Sequence, residues 1–351
     1  MAQNIAIANV MTKVETMQGS KKIAAVLLTF VILSMGFADY WAYSREFHSN
    51  PGGFEDVLRG TAIAPIQYRI GVIATADFIA RHAHVGLRHA FTLIDIIAAF
   101  VAVFTLFFLL RRSAVYRRAS NQAQWFGTAG FIILVQFYFA WVTWYQRPET
   151  LPTAAVVALV LLLLTVRVRL PGAAGRVVTA GAMLLLAVAQ GFVRADVAFA
   201  LHAGIFLLCL TRAGNGLSLP RGVQAVTSLL AAFVAASIQY YLMHIRYPHA
   251  TYGSTPLFQL LLNLMDPLEL AAFTLFILPY AWLVFTLLRR RATAESPALA
   301  VLSGSALFMG MWWMVGRVAE VRIFLPFALA LAPPTVLCAM QRWLSDQPPS
   351  A

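Results

Sequence analysis

Residues 23–46 read IAAVLLTFVILSMGFADYWAYSRE, an apolar run that passes directly into aromatic, acidic and basic residues. The run 23–38 carries no charge, and later apolar runs approach twenty residues, the length that spans a bilayer core. Hydrophobic residues make up 60% of the 351-residue chain and charged residues only 11%, whereas a soluble domain carries about 25% charged residues. The sequence therefore predicts an all-α polytopic membrane protein, with residues 1–351 forming a single integral membrane domain.

Ten apolar runs are predicted to be transmembrane helices. They cover residues 23–38, 89–110, 125–145, 152–166, 177–193, 197–211, 222–243, 268–288, 298–315 and 323–340. The first is read as a span because no small-x-small cleavage site of a signal peptide follows it. Residues 1–22 then form a cytoplasmic N-terminal segment, and residues 341–351 form a short cytoplasmic tail. Residues 39–88 form a large outer loop, with a helix over 66–88 lying on the membrane, and 257–265 is a second interfacial segment.

The basic residues are distributed unequally between the two sides of these spans. If the N-terminus is cytoplasmic, 16 of the 26 lysines and arginines fall in inner segments and the other ten in outer segments. The positive-inside rule therefore predicts that both termini are cytoplasmic. The net charge of +12 is then a signal of orientation. A nucleic-acid partner is not predicted, because no basic face with interleaved aromatic residues lies outside the membrane.

The outer segments combine arginines with acids, whereas the inner segments carry mostly arginine alone. The outer combinations are Arg45 with Glu46, Arg59 with Asp56, Arg147 with Glu149, Arg194 with Asp196, and Arg317 and Arg322 with Glu320. Any one of them is most simply an ion pair at the end of a span, because ionisable groups near membrane depth tend to pair. Five such combinations on one face favour a binding site for a substrate that carries phosphate and hydroxyl groups.

Asp39 is the acid that follows the first apolar run most closely. A carboxylate so near the hydrocarbon is energetically costly, which makes Asp39 a candidate functional residue. The alternative is that Asp39 only pairs with an outer arginine. Glu46, Glu55 and Asp56 in the same outer loop are further candidates for an acid that takes part in chemistry.

The chain resembles the GT-C superfamily of membrane glycosyltransferases in its layout. It has about ten predicted spans and a long first outer loop with an interfacial helix. Asp39, in the sequence Ala-Asp-Tyr-Trp-Ala-Tyr of residues 38–43, matches the catalytic aspartate that these enzymes carry just after the first span. The segments 67–69 and 320–326 are also similar to features of uncharacterised bacterial membrane proteins of this type. No Asp-Glu or Asp-x-Asp pair occurs at Asp39, which leaves metal dependence open.

The resemblance implies transfer of a sugar from a polyprenyl-phosphate donor to an acceptor at the periplasmic face of the bacterial inner membrane. Asp39 would act as general base, and the residues implied for the donor phosphate are Arg69, Arg317 and Arg322. The residues implied in supporting roles are Glu320, Tyr68 and Arg194. The partners are then the lipid-linked donor and membrane lipids. No metal ligands are predicted, although a divalent cation is left open as a cofactor.

The alternative function is that of a transporter or lipid-handling membrane protein without catalysis. Polar residues near mid-membrane on several spans would favour that alternative. In the sequence such residues are few, and they fall mostly towards the outer side: Asp95, Gln136, Gln190 and Asn263.

The predicted topology can be tested with single cysteines at Asn50 and Ala119. Asn50 belongs to the first outer loop and Ala119 to the following inner segment, so an impermeant thiol reagent should label them from opposite sides of the membrane. Labelling of both from the same side would contradict the predicted topology.

Overall fold

A computed structural model of the chain describes residues 2–49, 53–143, 147–167, 173–251, 256, 258–290, 295–318 and 320–345. This part of the chain contains no β-strand. Its α-helices are α1 (Ala2–Ser49), α2 (Gly53–Arg59), α3 (Ile70–Ala83), α4 (Leu87–Arg112), α5 (Ala114–Arg118), α6 (Asn121–Thr143), α7 (Thr150–Thr165), α8 (Ala173–Cys209), α9 (Arg221–Tyr241), α10 (Leu260–Met265), α11 (Pro267–Arg290), α12 (Ser296–Val315), α13 (Leu325–Ala330) and α14 (Ala332–Ser345).

Seven helices among the described residues are long and apolar enough to cross a membrane. They lie within α1, α4, α6, α8, α11 and α12, and in α9 together with the π-helical turn that extends it to Arg246. The bent pair Val321–Ala330 and Ala332–Trp343 forms an eighth candidate. The prediction of a helical, multi-pass membrane protein is therefore confirmed. The number of candidates differs from the ten predicted spans because of α7 and α8.

α8 is 37 residues long and has a break at Arg194, whose backbone angles (φ −153°, ψ 79°) are not helical. A straight helix of this length would measure about 55 Å, far more than a bilayer core of about 30 Å. In the part before the break, Met183 Sδ lies 3.5 Å from Gln224 Nε2, near the start of α9.

The two parts of α8 run in opposite directions. Gly191, just before the break, lies beside Ile238 near the end of α9. Cys209, at the end of α8, accepts a hydrogen bond through its carbonyl from Arg221, the first residue of α9. The first part of α8 is thus parallel to α9 and the second part returns along it. The predicted spans 177–193 and 197–211 correspond to these two parts.

α7 lies in the centre of the bundle, where it packs against α4, α8, α12 and α13. Apolar residues surround its axis, which is typical of a helix buried on all sides, and Leu151, Val157 and Leu164 are fully buried. With 16 residues, α7 is about 24 Å long, shorter than the bilayer core. Because protein rather than lipid surrounds α7, the bilayer does not fix its length.

The bundle has two distinct ends. At one end, Glu149 precedes α7 and contacts Arg69 and Arg322; we call it the arginine end. At the opposite end, Ser113, which follows α4, donates a hydrogen bond to Glu295, which precedes α12 (3.3 Å). Loops at that opposite end also connect α8 to α9.

α1 extends beyond the predicted first span as far as Ser49. No proline follows the apolar run until Pro51, so charged residues enter the helix without ending it. Asp39 therefore lies inside a helix and not at the start of a loop. Asn50, which the labelling experiment uses, and residues 51–52 lie outside the described residues.

The predicted helix over 66–88 is divided in the structure. Ile66–Tyr68 forms a 3-10 turn, and α3 ends at Ala83. His84 then adopts a left-handed conformation (φ 52°), and Gly86 in extended conformation begins α4. The single helix predicted over 66–88 is therefore interrupted, as a residue with positive φ ends an α-helix.

The tenth predicted span is bent by 55° between α13 and α14. Pro333 and Pro334 occupy the first turn of α14, where a missing N–H is tolerated but a continuous helix is not. α14 continues to Ser345, and residues 346–351 of the predicted tail lie outside the described residues. Leu257 of the predicted interfacial segment does so too.

The second part of α8 meets α12 at two glycines. A Cβ atom added to Gly204 would lie 2.2 Å from the backbone nitrogen of Gly304. Only a residue without a side chain permits this approach, as at other close crossings of membrane helices.

Gly204→Ala should therefore force α8 and α12 apart and destabilise the protein by about 1–3 kcal/mol, the usual cost of overpacking. Thermal unfolding in detergent measures this cost. Gly181→Ala is the matched control, because an added Cβ at Gly181 in the same helix meets nothing within 4 Å. Equal melting temperatures for the two variants would show that the contact tolerates a methyl group.

Candidate functional site

Glu149 is a buried acid at the arginine end, positioned by the central helix α7. Its side chain is only 7% exposed. Arg69, which precedes α3, places Nη1 2.5 Å from Glu149 Oε1. Arg322, which precedes α13, places Nη1 3.8 Å from the same oxygen. One carboxylate thus holds two arginines that are far apart in the sequence.

The electrostatic environment of Glu149 favours its ionised form. Burial alone would raise the pKa of Glu149, because it disfavours the charged carboxylate. The positive charges of Arg69, Arg322 and Arg194 outweigh burial and lower the pKa from its ordinary value of 4.5 to about 2. Glu149 is therefore a carboxylate at neutral pH and contributes a full negative charge to the interior.

Arg322 and one further arginine at this end, Arg194, are also held by acids that are close to them in sequence. Arg322 Nη2 lies 2.6 Å from Glu320 Oε2. Arg194 donates two hydrogen bonds to Asp196, from Nε to Oδ1 (2.9 Å) and from Nη2 to Oδ2 (2.5 Å). The predicted pairs Arg194–Asp196 and Arg322–Glu320 are confirmed, and the first has the bidentate geometry typical of guanidinium and carboxylate.

The break in α8 places the Arg194 side chain against α12. The guanidinium carbon lies 5.7 Å from the ring centroid of Phe308 and 5.5 Å from that of Trp312. An arginine over aromatic faces gains a cation–π interaction, which is strongest where water is excluded. Arg194 is buried, so its aromatic neighbours and Asp196 together offset the loss of hydration.

Arg147 completes this group of ion pairs. Its Nη1 lies 3.0 Å from Glu46 Oε1 near the end of α1, so it does not form the predicted pair with Glu149. We call Arg69, Arg147, Arg194 and Arg322, together with Glu46, Glu149, Asp196 and Glu320, the arginine group. Its four guanidiniums are matched by four carboxylates, so the group as a whole is neutral.

Asp39, Tyr43 and Asp95 form a second buried polar group, which we call the acid–tyrosine group. All three side chains are buried. The Tyr43 hydroxyl on α1 donates a hydrogen bond to Asp95 Oδ2 on α4 (2.7 Å). Asp39 lies one helical turn before Tyr43, on the same side of α1.

The two groups are neighbours. The negative charges of Asp39, Asp95 and Glu149 all act on the Tyr43 hydroxyl. Glu149 belongs to the arginine group, so the Tyr43 hydroxyl of the acid–tyrosine group lies within electrostatic reach of the arginine group. Candidate acids and candidate phosphate-binding arginines are thus brought to one end of the bundle.

Other candidate residues lie in simpler contacts. Glu55 forms an exposed i,i+4 ion pair with Arg59 at 2.8 Å, instead of the predicted Arg59–Asp56 pair. Asp56, in the same short helix, accepts hydrogen bonds from Thr61 through its main-chain carbonyl. Exposed pairs of this kind contribute little to stability, and neither acid belongs to the buried groups.

Two candidates hold segments of the arginine end in place. Arg317 pairs with Glu269 at the start of α11 (2.5 Å) and not with Glu320. The buried Tyr68 hydroxyl donates a hydrogen bond to the carbonyl of Ala250 (2.8 Å), and burial raises the pKa of Tyr68. Tyr68 thereby fixes the turn that precedes Arg69.

Sequence reasoning missed the central position of Glu149 and the link between Tyr43 and Asp95. One signal was present: Asp95 interrupts an otherwise apolar run, and an acid inside a membrane helix marks a functional candidate. No comparable signal pairs Arg69 with Glu149, because the contact joins segments 80 residues apart.

The described residues contain no group of three or more histidine, cysteine, aspartate or glutamate side chains that could hold a metal ion. The acids of the arginine group face guanidiniums instead. A divalent cation, which the resemblance left open, therefore has no candidate ligand set in the described part of the chain.

Neither a protein-family model, nor a curated protein sequence, nor a solved structure matches the chain. The resemblance to GT-C glycosyltransferases therefore stays a prediction from the sequence. The geometry of the two buried polar groups is the observation that bears most directly on function.

Glu149→Gln should destabilise the protein by roughly 3–5 kcal/mol, because it removes the charge that two buried arginines face. The lowered pKa means that the Glu149 carboxylate stabilises the fold fully above pH 4.5 and loses this effect as the pH falls towards about 2. Thermal unfolding of wild type and variant across this range should show a difference that is constant above pH 5 and shrinks below it.

Glu55→Gln provides the comparison for Glu149→Gln. It removes an acid from an exposed ion pair, with side chains 59% and 68% exposed, and should change stability by less than about 1 kcal/mol. A difference for Glu149→Gln that stays constant down to pH 2 would contradict the ionised, ion-paired state of Glu149.

Proposed function

We propose that the protein is a GT-C-type glycosyltransferase that moves a sugar from a polyprenyl-phosphate donor to an acceptor at the periplasmic face of the bacterial inner membrane. The proximity of the arginine group to the acid–tyrosine group, whose Tyr43 is within electrostatic reach of Glu149, is the observation that supports this proposal. Such a reaction needs cations beside the phosphate leaving group and a carboxylate that accepts a proton.

We further propose ten spans with both termini in the cytoplasm. This count treats α7, the two parts of α8 and the bent pair α13–α14 as four spans beside six longer helices. The distribution of basic residues supports the orientation, since the opposite end carries arginines such as Arg111, Arg112 and Arg221. The arginine end then faces the periplasm, where a polyprenyl-phosphate donor presents its sugar.

Arg69 and Arg322 are proposed to bind the donor phosphate. Both guanidiniums face one oxygen atom of Glu149, so an anion of similar size can be shared between them. Arginine suits this role because its planar fork binds phosphate in a bidentate manner. Arg317 is proposed to contact the same phosphate from the exposed side, since it is 40% exposed.

The supporting residues of the proposed site act through the arginines. Glu320 and Asp196 orient Arg322 and Arg194 by direct hydrogen bonds. Tyr68 fixes the turn that carries Arg69. Because Arg322 is only 5% exposed, donor binding requires the arginine end to open.

Asp39 is proposed as the general base. It would take the proton of the acceptor hydroxyl while that oxygen attacks C1 of the sugar and the bond from C1 to the phosphate oxygen breaks. The electron pair leaves on polyprenyl phosphate, whose added charge Arg69 and Arg322 stabilise. Asp95 holds Tyr43 beside Asp39. Since Asp39 is buried, the acceptor has to displace neighbouring side chains to reach it.

A transporter is the second candidate function, and one observation favours it. Buried polar residues occur on several helices: Asp39 on α1, Asp95 on α4, and Gln190 and His202 on α8. Transport pathways commonly contain such residues in the membrane interior. A transporter would bind an anionic substrate at the arginine group without breaking a covalent bond.

Arg322→Lys should weaken the binding of polyprenyl phosphate to the protein in nanodiscs by about tenfold, because lysine keeps the charge but loses the bidentate fork. Arg59→Lys, in the exposed pair on α2, should bind as wild type does. Unchanged affinity in folded Arg322→Lys would place the phosphate elsewhere.

Wild-type protein in nanodiscs should release polyprenyl phosphate from a polyprenyl-phosphate sugar as the sugar passes to the hydroxyl of an acceptor. Asp39→Asn should lower this rate by about 10²–10⁴-fold, the contribution of a general base, with polyprenyl-phosphate binding retained. Solute uptake into proteoliposomes without such release would instead favour the transporter.

A further inference from the structure

Glu149 occupies a position that is suited to an anion from outside the protein. It stands directly before α7, at the positive end of the helix dipole. The backbone contributes little to the site, because Pro152 has no N–H and the N–H groups of Thr150 and Thr153 donate to the carbonyls of Arg147 and Glu149. Arg69 and Arg322 both face its Oε1 atom, and Arg194 acts on it electrostatically. These are the components of a phosphate site, and a carboxylate of the protein fills it.

Thr153 adds an independent observation. Its side chain is fully buried, and its hydroxyl has no hydrogen-bond partner among the described residues. A buried hydroxyl without a partner costs free energy, so one that persists calls for an explanation. Thr153 lies four residues after Glu149, which puts both on the same side at the start of α7.

We propose that the Glu149 carboxylate is an internal substitute for a phosphate group. When a phosphate binds, it displaces this carboxylate from Arg69 and Arg322 and accepts a hydrogen bond from Thr153. This inference rests on the proposed function for the identity of the ligand as a phosphate. It adds that the resting site is closed by the protein's own anion. Phosphate binding is then an exchange of one anion for another, with Glu149 moving out between the helices.

The exchange predicts a gain of affinity on removal of the carboxylate. Inorganic phosphate should bind Glu149→Gln about tenfold more tightly than it binds wild type, since the competing charge is gone; tenfold corresponds to 1.4 kcal/mol. Because ligand binding stabilises the folded state, phosphate should raise the melting temperature of Glu149→Gln more than that of wild type. A purely structural Glu149 would lose affinity together with stability.

Asp77→Asn is the matched control for this gain. Asp77 forms an i,i+4 ion pair with Arg81 at 2.9 Å on the exposed side of α3, so the substitution also releases an arginine from its acid. Phosphate affinity in Asp77→Asn should equal that of wild type. An equal gain in both variants would mean that any released arginine attracts phosphate, which would overturn the proposal.

Thr153→Val tests the site in a variant that should fold normally. Valine keeps the shape of threonine, and the lost hydroxyl has no partner in the described part of the chain, so stability should not fall. Phosphate affinity should decrease about tenfold, because one hydrogen bond to a charged group is lost. Unchanged affinity in Thr153→Val, or no gain in folded Glu149→Gln, would overturn the proposal.

The probes separate this inference from the proposed function. Inorganic phosphate and polyprenyl phosphate in nanodiscs are measured side by side, and stronger binding of the lipid form identifies the membrane as the source of the phosphate. A gain in Glu149→Gln without any sugar transfer by wild type would refute the transferase alone. Sugar transfer by wild type, without higher phosphate affinity in Glu149→Gln, would refute only the proposed exchange between Glu149 and phosphate.

Discussion

Burial of the Glu149 carboxylate is the constraint on which the arginine end depends. α7 is apolar on all sides and lies at the centre of the bundle, so the residue before it cannot reach bulk water. A carboxylate in such a position is tolerated only if cations and hydrogen bonds replace its hydration. Arg69 and Arg322 supply those cations, which ties the first loop and the last helices of the chain to the central helix.

The other features of the arginine end follow from the burial of its arginine side chains. Glu149 can balance one guanidinium, that of Arg69, so Arg322 and Arg194 need further partners. Arg322 gains Glu320, and Arg194 gains Asp196 and two aromatic rings. The non-helical backbone at Arg194 reverses the direction of α8. It thereby lets the Arg194 side chain reach Asp196 and α12, which offset its charge.

The sequence was sufficient for the fold class and for two of the ion pairs between residues close in the chain. Apolar runs predicted the helices, including the two parts of α8. The pairs Arg194–Asp196 and Arg322–Glu320, two positions apart in the sequence, were predicted correctly. Arg147 and Glu149 have the same spacing but each found a partner elsewhere in the fold. The pairing of Arg69 with Glu149 depends on tertiary packing, which no local pattern encodes. Asp39 was placed in a loop because its charge was taken as the end of a span, whereas helix propensity and the absence of proline carry α1 onwards.

The neutrality of the arginine group decides what the site can do. Four guanidiniums matched by four carboxylates attract a free anion only weakly, because the field of each cation is cancelled at short range. In the proposed exchange, an incoming phosphate would gain the full field of Arg69 and Arg322 only if the Glu149 carboxylate moved away from them. Selectivity among anions would then depend on charge and on the number of acceptor atoms. A ligand must exceed a carboxylate in both to offset the free energy needed to move Glu149. Inorganic phosphate, and the polyprenyl phosphate that the proposed reaction would release, have more acceptor oxygens and a higher charge than a carboxylate and would satisfy this condition.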